Sequence, residues 1–170
     1  PTAEFQIFDN REDANSFLQD CNYPIVVKAD GLALGKGVII AKDFSEAKRA
    51  VDACMVNKAF GKSGERIVIE EFLEGPEVSV LCFTDGTTIV PMPRAQDHKK
   101  VYDGDRGPNT GGMGAFSPSP YYTQEVETFC MENIFIPTME AMKMEDRLFK
   151  GVLYFGLMLT DRGPKVLEYN

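Results

Sequence analysis

A chain of 170 residues with 44% apolar and 26% charged side chains has the composition of an ordinary soluble globular protein, long enough for one domain or two small lobes. Its net charge of -8 argues against non-specific binding to nucleic acid or to an anionic membrane, because both present phosphates that an acidic surface repels. Any phosphate it holds must be met by a local site. Cys21, Cys54, Cys82 and Cys130 form no CxxC pair and no cluster with the single histidine, so they read as buried free thiols of a reducing, cytoplasmic compartment rather than as a zinc or disulfide framework. No signal peptide and no membrane-spanning apolar run is present. The chain opens on Pro1 and stops at Asn170 directly after a strand-like run, so both ends read as cuts in a longer protein.

Asp9 or Asn10 can cap a first helix over 11–20, where Ala14, Phe17, Leu18 and Cys21 keep a helical stripe. Pro24 opens a strand, Ile25 to Lys28. A glycine-rich loop from Asp30 to Gly37 leads to a second strand, Val38 to Ile40. Ser45 then caps a helix whose Ala47, Ala50, Val51, Cys54 and Met55 face one side. A loop over 57–65 precedes the strand Ile67 to Glu70. Val78 to Phe83 and Thr87 to Val90 predict a hairpin with Asp85-Gly86 as its two-residue turn. The stretch 91–120 is rich in Pro and Gly and reads as one long functional loop. Thr123 caps a helix to about 144, which Pro137 kinks or restarts. Two strands close the chain, Val152 to Leu159 and Lys165 to Asn170, with a turn at Asp161 to Pro164. Strands mixed with helices, hairpins among them, predict an α+β fold with mostly antiparallel sheets. A smaller lobe would cover 1–72 and a larger one 73–170.

The loop Gly31 to Gly37 is the first candidate site. It is not a phosphate loop of the Walker type, because Gly35-Lys36 comes one residue too early and Gly37 stands where a magnesium-binding Ser or Thr belongs. It joins strand to strand, so no helix N-terminus waits for a pyrophosphate. Glycines around Lys36 still allow close backbone approach to an anion. A plain surface hairpin loop fits equally well. Lys28 sharpens the reading, since a lysine behind Ile25-Val26-Val27 is costly unless an anion or carboxylate meets it. The alternative is an edge-strand lysine reaching for solvent.

Glu70-Glu71-Phe72-Leu73-Glu74-Gly75-Pro76-Glu77 runs from one strand to the next and reads on its own as an acidic linker; its backbone could also meet the edge of a base, and Glu77 ribose hydroxyls. In Lys165 to Asn170, alternation puts Glu168 and Asn170 on one strand face as two hard oxygen donors, a pair suited to magnesium, although a solvent-facing strand end is the equal alternative. The long stretch holds Gln96-Asp97-His98-Lys99-Lys100 and Pro108-Asn109-Thr110-Gly111-Gly112-Met113-Gly114. The second run suggests backbone donors wrapped around an anionic or sugar group. No Ser or Cys pairs with His98, so a nucleophilic triad is unsupported.

Together these segments, in this order, resemble the glycinamide ribonucleotide synthetase family of ATP-grasp ligases. The resemblance rests on Tyr23 to Ala33 with Gly35-Lys36-Gly37-Val38, on Ile69 to Leu73, on Gln96 to Lys99, on Gly107 to Gly114 as the most specific run, and on Lys165 to Asn170. It implies an ATP-grasp fold whose two lobes enclose a nucleotide cleft. It implies ligation of glycine to 5-phosphoribosylamine with ATP and Mg²⁺ or Mn²⁺, through glycyl phosphate. Lys28, Gly35, Lys36 and Gly37 would meet ATP phosphates; Glu70, Glu71, Phe72 and Leu73 the adenine; Glu77 the ribose. His98 and Lys99, with Lys36, would face the reacting phosphate. Asp97 and Asn109, Thr110, Gly111, Gly112, Met113 and Gly114 would line the substrate side, and Glu168 and Asn170 would hold the metal. The strand Tyr154-Phe155-Gly156-Leu157-Met158 departs from many ATP-grasp enzymes in carrying no carboxylate. The family also continues beyond both ends of this chain, so the chain would supply the ATP-binding part of a parent that could be fused to other purine enzymes. Another ATP-grasp ligase or carboxylase, or a non-catalytic nucleotide-binding module, are the competing readings.

Overall fold

The computed structural model describes residues 1–33, 36–104 and 106–170, apart from the side chains of Pro108 and Asn109. Gly35 therefore lies outside the described residues, as does the Asn109 side chain. The chain divides into two units, residues 3–72 and residues 1–2 with 73–170.

The first unit is one four-stranded sheet and two helices. Strands β1 (Phe5–Phe8), β2 (Ile25–Ala29), β3 (Val38–Ala41) and β4 (Ile67–Glu71) stand in the order β1-β4-β2-β3, every pairing antiparallel. Helix α1 (Arg11–Phe17) starts at Asn10, whose side chain accepts from the amides of Glu12 and Asp13, and a 3-10 turn extends it through Asp20. Helix α2 (Phe44–Val51) is capped by Asp43, which accepts from the Glu46 amide, and it runs into a π turn over Asp52–Val56. The expected cap, Ser45, is thus a residue of the first turn: Asp43 stands three residues before Glu46, the spacing a capping side chain needs. Val27, Ile67, Ile69, Leu18, Val51 and Cys54 bury between sheet and helices. Strand β1 was not foreseen. Its Phe5 and Ile7 are exposed, and four residues give too little alternation to distinguish from a terminal coil.

The second unit carries the sheet β12-β11-β5-β6, built from β5 (Glu77–Thr84), β6 (Ile89–Pro91), β11 (Gly151–Thr160) and β12 (Gly163–Tyr169), again antiparallel. Thr84 pairs with Ile89, so the β5–β6 loop has four residues, 85–88, rather than two. Asp85 explains the longer loop: its carboxylate accepts from the amides of both Thr87 and Thr88. Helix α3 (Gln124–Cys130), capped by Thr123, passes through a π turn over Met131–Phe135 into α4 (Ile136–Met144), with Pro137 directly after the π turn. Phe135, Ile134, Cys130 and Met139 pack on Val78, Val80, Cys82, Leu153, Phe155 and Leu157.

The Pro- and Gly-rich stretch is paired rather than a plain loop. Strands β7 (Gln96–Asp97) and β10 (Ala115–Phe116) pair with each other, as do β8 (Lys100–Tyr102) and β9 (Arg106–Asn109). Ala95 and Ser79 exchange backbone hydrogen bonds, which ties the base of this excursion to β5. Prolines and glycines hid the pairing because the strands are two to four residues long.

Candidate functional site

In the first unit, the register of the sheet places Phe5, Ile7, Val68, Glu70, Val26, Lys28, Val38 and Ile40 on the face away from the helices. Phe5, Ile7, Val38 and Ile40 are all exposed. Within this apolar surround, Lys28 Nζ lies 2.7 Å from a Glu70 carboxylate oxygen. The cost of a largely covered lysine is met here by a carboxylate on the next strand.

The base of the glycine-rich loop is fastened at several points. The Asp30 amide donates to the Arg66 carbonyl at 3.0 Å and the Gly31 amide to the Ser63 carbonyl at 3.1 Å. Arg66 holds the Asp30 carboxylate at 2.5 Å, and Ser63 Oγ donates to the Leu32 carbonyl. A Cβ on Gly31 would stand 2.8 Å from Ser63, and one on Gly37 2.7 Å from the Ala33 Cβ, so close packing requires glycine at both. Gly37 accepts from the Ala29 amide at 2.8 Å. Lys36 is exposed and makes no ion pair among the described residues. Sequence reasoning read 57–65 as a plain connecting loop and missed Ser63 and Arg66, whose role only the fold makes visible.

Glu71 spends its amide on the Glu4 carbonyl at 2.9 Å, and its carboxylate accepts from the Glu4 amide. That N–H is therefore unavailable to a base. Phe72 closes the first unit, and Leu73, buried at 6%, opens the main run of the second.

The second unit gathers the other candidates on one sheet face. Residues Val78, Val80, Phe155, Leu157 and Val166 point into the core, which leaves Glu77, Ser79, Tyr154, Gly156, Glu168 and Asn170 for the opposite face. Simple alternation would put Glu168 on the same side as buried Val166. A bulge at Leu167 prevents it: Leu157 pairs with Val166, whereas the next residue, Gly156, pairs with Glu168. Asn170 continues the ladder by exchanging both backbone hydrogen bonds with Tyr154.

Lys99 reaches this face. Its ammonium is hydrogen-bonded to the Glu77 carboxylate and lies 3.6 Å from that of Glu168. Burial alone would lower its pKa. The hydrogen bond and charge of Glu77, with smaller contributions from Tyr154 and Glu168, outweigh this and hold the pKa above its ordinary value. Tyr154 and Ser79 hydroxyls meet at 3.0 Å. Neither was singled out from sequence, although period two from Glu77 leads to Ser79. Gly156 has its space filled: a Cβ there would stand 3.0 Å from Glu168 Cγ and 3.3 Å from the Tyr154 ring.

The excursion holds Lys99 in place. The Thr110 amide and hydroxyl both donate to the Lys99 carbonyl, at 2.7 and 2.8 Å. The Gly112 amide donates to Thr110 Oγ1, and that of Met113 to the His98 carbonyl. Amides of Thr110, Gly112 and Met113, expected to cradle an anion, are thus engaged within the hairpin. Gly112 has φ +117°, and a Cβ on it would lie 3.1 Å from an Asp97 carboxylate oxygen. Gly114 accepts from the His98 amide. Gly111 is exposed, with open space where a side chain would go. His98 is exposed and stacks on Phe116, ring centroids 5.4 Å apart.

Residues 1–170, the whole chain, match the family model described as phosphoribosylglycinamide synthetase, ATP-grasp (A) domain. The chain belongs to this family. It is 50% identical over 169 residues to the phosphoribosylamine–glycine ligase of Clostridium acetobutylicum, a match covering 99% of this chain and 41% of that protein. It is 54% identical over 171 residues to the trifunctional purine biosynthetic protein adenosine-3 of Gallus gallus, covering 100% of this chain and 17% of that one. The crystal structure of phosphoribosylamine–glycine ligase from Thermotoga maritima superimposes with a TM-score of 0.90 at 36% identity, over 99% of this chain and 43% of that chain. The chain thus spans less than half the length of each. Its fold is the α+β ATP-grasp fold. No helix among the described residues is long and apolar enough to cross a membrane.

Proposed function

We propose that this chain is the ATP-binding part of an enzyme that ligates glycine to 5-phosphoribosylamine, giving glycinamide ribonucleotide, ADP and phosphate. The observation that carries the reading is the face bearing Glu77, Lys99, Glu168 and Asn170: an ammonium held between two carboxylates, with Asn170 on the same side of the sheet. The residues 3–72 and 73–170 correspond to a smaller and a larger lobe in this reading, and the chain is a portion of a longer protein. The Gallus gallus relative is a trifunctional purine biosynthetic protein, so fusion of the parent to other purine enzymes is one arrangement open to it.

A divalent metal fits the donors present. Glu168 and Asn170 offer a carboxylate and an amide oxygen, and Mg²⁺ or Mn²⁺ takes few protein ligands when phosphate oxygens and water complete its shell. No group of three or more His, Cys, Asp and Glu among the described residues would hold a metal unaided. Bound there, the metal would neutralise phosphate charge. Lys28 and Lys36 serve the phosphates of ATP, and the apolar face around Lys28 and Glu70 suits a planar base. Glu77 takes the ribose.

The chemistry asks for positioning and charge neutralisation more than for a protein base. A glycine carboxylate oxygen attacks the γ-phosphorus and ADP departs, leaving glycyl phosphate. The phosphoribosylamine nitrogen then bonds to the acyl carbon, phosphate leaves and the nitrogen loses a proton. Lys99, with His98, attends the charge that moves onto the transferred phosphoryl oxygens. Asp97 and the 109–114 segment line the substrate side. The test is ADP release by the full-length protein: it should require glycine and phosphoribosylamine together. ADP release that responds instead to bicarbonate or to another amino acid would favour a different ATP-grasp ligase or carboxylase.

A further inference from the structure

The ion arrangement around Lys99 has a consequence for how metal enters, and it rests on the reading above that Glu168 is a metal ligand. Glu77 and Glu168 lie on different strands, β5 and β12, with β11 between them. One cation joins them. Lys99 Nζ is bonded to Glu77 and stands 3.6 Å from Glu168, and the Lys99 side chain is 23% exposed against 32% for Glu77 and 47% for Glu168. The lysine does not wander into this position. Its own carbonyl is fixed by two donors from Thr110, and neighbouring His98 is pinned through its amide and carbonyl to Gly114 and Met113. Below, the Tyr154 hydroxyl adds a dipole held by Ser79. Gly156 leaves no carboxylate on the central strand to share the load, and Glu168 Cγ and the Tyr154 ring occupy the space a side chain there would need.

We propose that the Lys99 ammonium is a resident counter-cation that holds the place of the divalent metal beside Glu168, so that metal without nucleotide must compete with it. An ammonium and a hard divalent cation both seek carboxylate oxygens, and two cations beside one carboxylate repel each other. A metal arriving alone has only Glu168 and Asn170 to gain and an ammonium to push aside. A metal arriving with a polyphosphate brings oxygens that give Lys99 a new partner. In the exchange Lys99 gains a phosphate as the metal takes Glu168, and its bond to Glu77 can persist. Coupling between metal and nucleotide therefore originates in Lys99 as well as in the phosphates, and by reciprocity each ligand tightens the other by the same factor. The rigid Thr110 clamp on the Lys99 backbone confines the exchange to the side chain.

The experiment is Mn²⁺ titration of the full-length protein, followed by the electron paramagnetic resonance signal of free Mn²⁺, with and without a non-hydrolysable ATP analogue. Lys99→Met keeps the aliphatic stem and removes the charge. It should bind Mn²⁺ alone about fivefold more tightly or better, and show weaker tightening by the nucleotide. Lys99→Arg keeps a cation and should behave like wild type, which separates loss of charge from a disturbed fold. Unchanged or weaker Mn²⁺ binding by Lys99→Met overturns the proposal. Glu168→Gln tells which idea has failed: if it abolishes nucleotide-coupled Mn²⁺ binding, Glu168 remains the ligand and only the counter-cation role is lost. If it leaves that binding intact, the metal assignment falls and takes the proposal with it.

Discussion

Lys28 and Glu70 meet diagonally across two neighbouring strands, 2.7 Å apart, with Val26 rather than Lys28 directly opposite Glu70. Diagonal neighbours on a sheet are within reach of long side chains, and this pair stands among exposed apolar residues. Each of two candidate phosphate-binding lysines, Lys28 and Lys99, is thus held by a carboxylate, whereas Lys36 lies exposed on its loop.

Lys28→Ala should therefore weaken nucleotide binding more than Lys36→Ala. Lys28 is already in position, while Lys36 must lose side-chain freedom on closing over a phosphate. We expect a loss of about 2 kcal/mol for Lys28, the scale of a hydrogen bond to a charged group, and less for Lys36. Calorimetric titration with a non-hydrolysable ATP analogue measures both; a larger loss at Lys36 would reverse the assignment.

The glycine-rich loop gives a second expectation. From its sequence, the whole span Asp30 to Gly37 should be weakly held without a ligand. The structure corrects this at the base, where the amides of Asp30 and Gly31 are bonded to Arg66 and Ser63. Hydrogen exchange should find those two amides protected before nucleotide is added, with Lys36 gaining protection afterwards. Ser63→Ala keeps the carbonyl that holds Gly31 and removes only the hydroxyl bond to the Leu32 carbonyl, so Gly31 should stay protected in that variant. Rapid exchange at Asp30 and Gly31 in the unliganded wild type would contradict the anchoring.

Much of this was readable from residue order, and the exceptions have specific causes. Buried strands such as Ile25 to Lys28 and the long central strand announce themselves by continuous apolar runs, and Asp9 or Asn10 was a sound expectation for the first cap. The second cap was misplaced because Asp43 and Ser45 both suit the role and only geometry chooses between them. The strands of the 95–116 excursion were invisible because prolines and glycines interrupt any alternation. Glu168 and Asn170 were placed on one face correctly, yet the bulge that turns them from Val166 needed the register to be seen. Partnerships between distant residues, such as Lys99 with Glu77, leave no periodic trace at all.

A pH dependence follows from the thiols. Burial pushes Cys82 up to about 12 and, with help from nearby Glu127, Cys130 up to about 11. In the unfolded chain both would ionise near the ordinary thiol value of about 8.5. Above that pH the unfolded state has lost protons that the folded state keeps, so stability falls as pH rises from about 9 towards 12. Cys82→Ala should flatten this alkaline slope while lowering stability at pH 7 through the small void it leaves. Denaturant melts at several pH values measure it, and an unchanged slope would show that Cys82 does not govern it.

The bulge at Leu167 yields the sharpest separation between fold and site. Side chains on a strand alternate with period two, so Val166 and Glu168 can face opposite sides only because the bulge adds an unpaired residue between them. With Leu167 present, Val166 enters the core opposite Leu157, while Glu168 lies opposite Gly156 on the polar face. Deleting Leu167 would remove the extra residue and leave Glu168 directly after Val166, still opposite Gly156 and still on the polar face. Glu168 would keep its place beside Lys99. We expect nucleotide-coupled Mn²⁺ binding to survive the deletion, with stability changed by about 1 kcal/mol, the scale of an ordinary single change. Glu168→Gln should instead lose the coupling and keep the melting temperature close to wild type, because it changes charge on an exposed side chain and little volume. Thermal melting and Mn²⁺ titration of the two variants side by side decide the matter. A deletion variant that stays folded yet loses the coupling would mean that this register does not set the facing of Glu168.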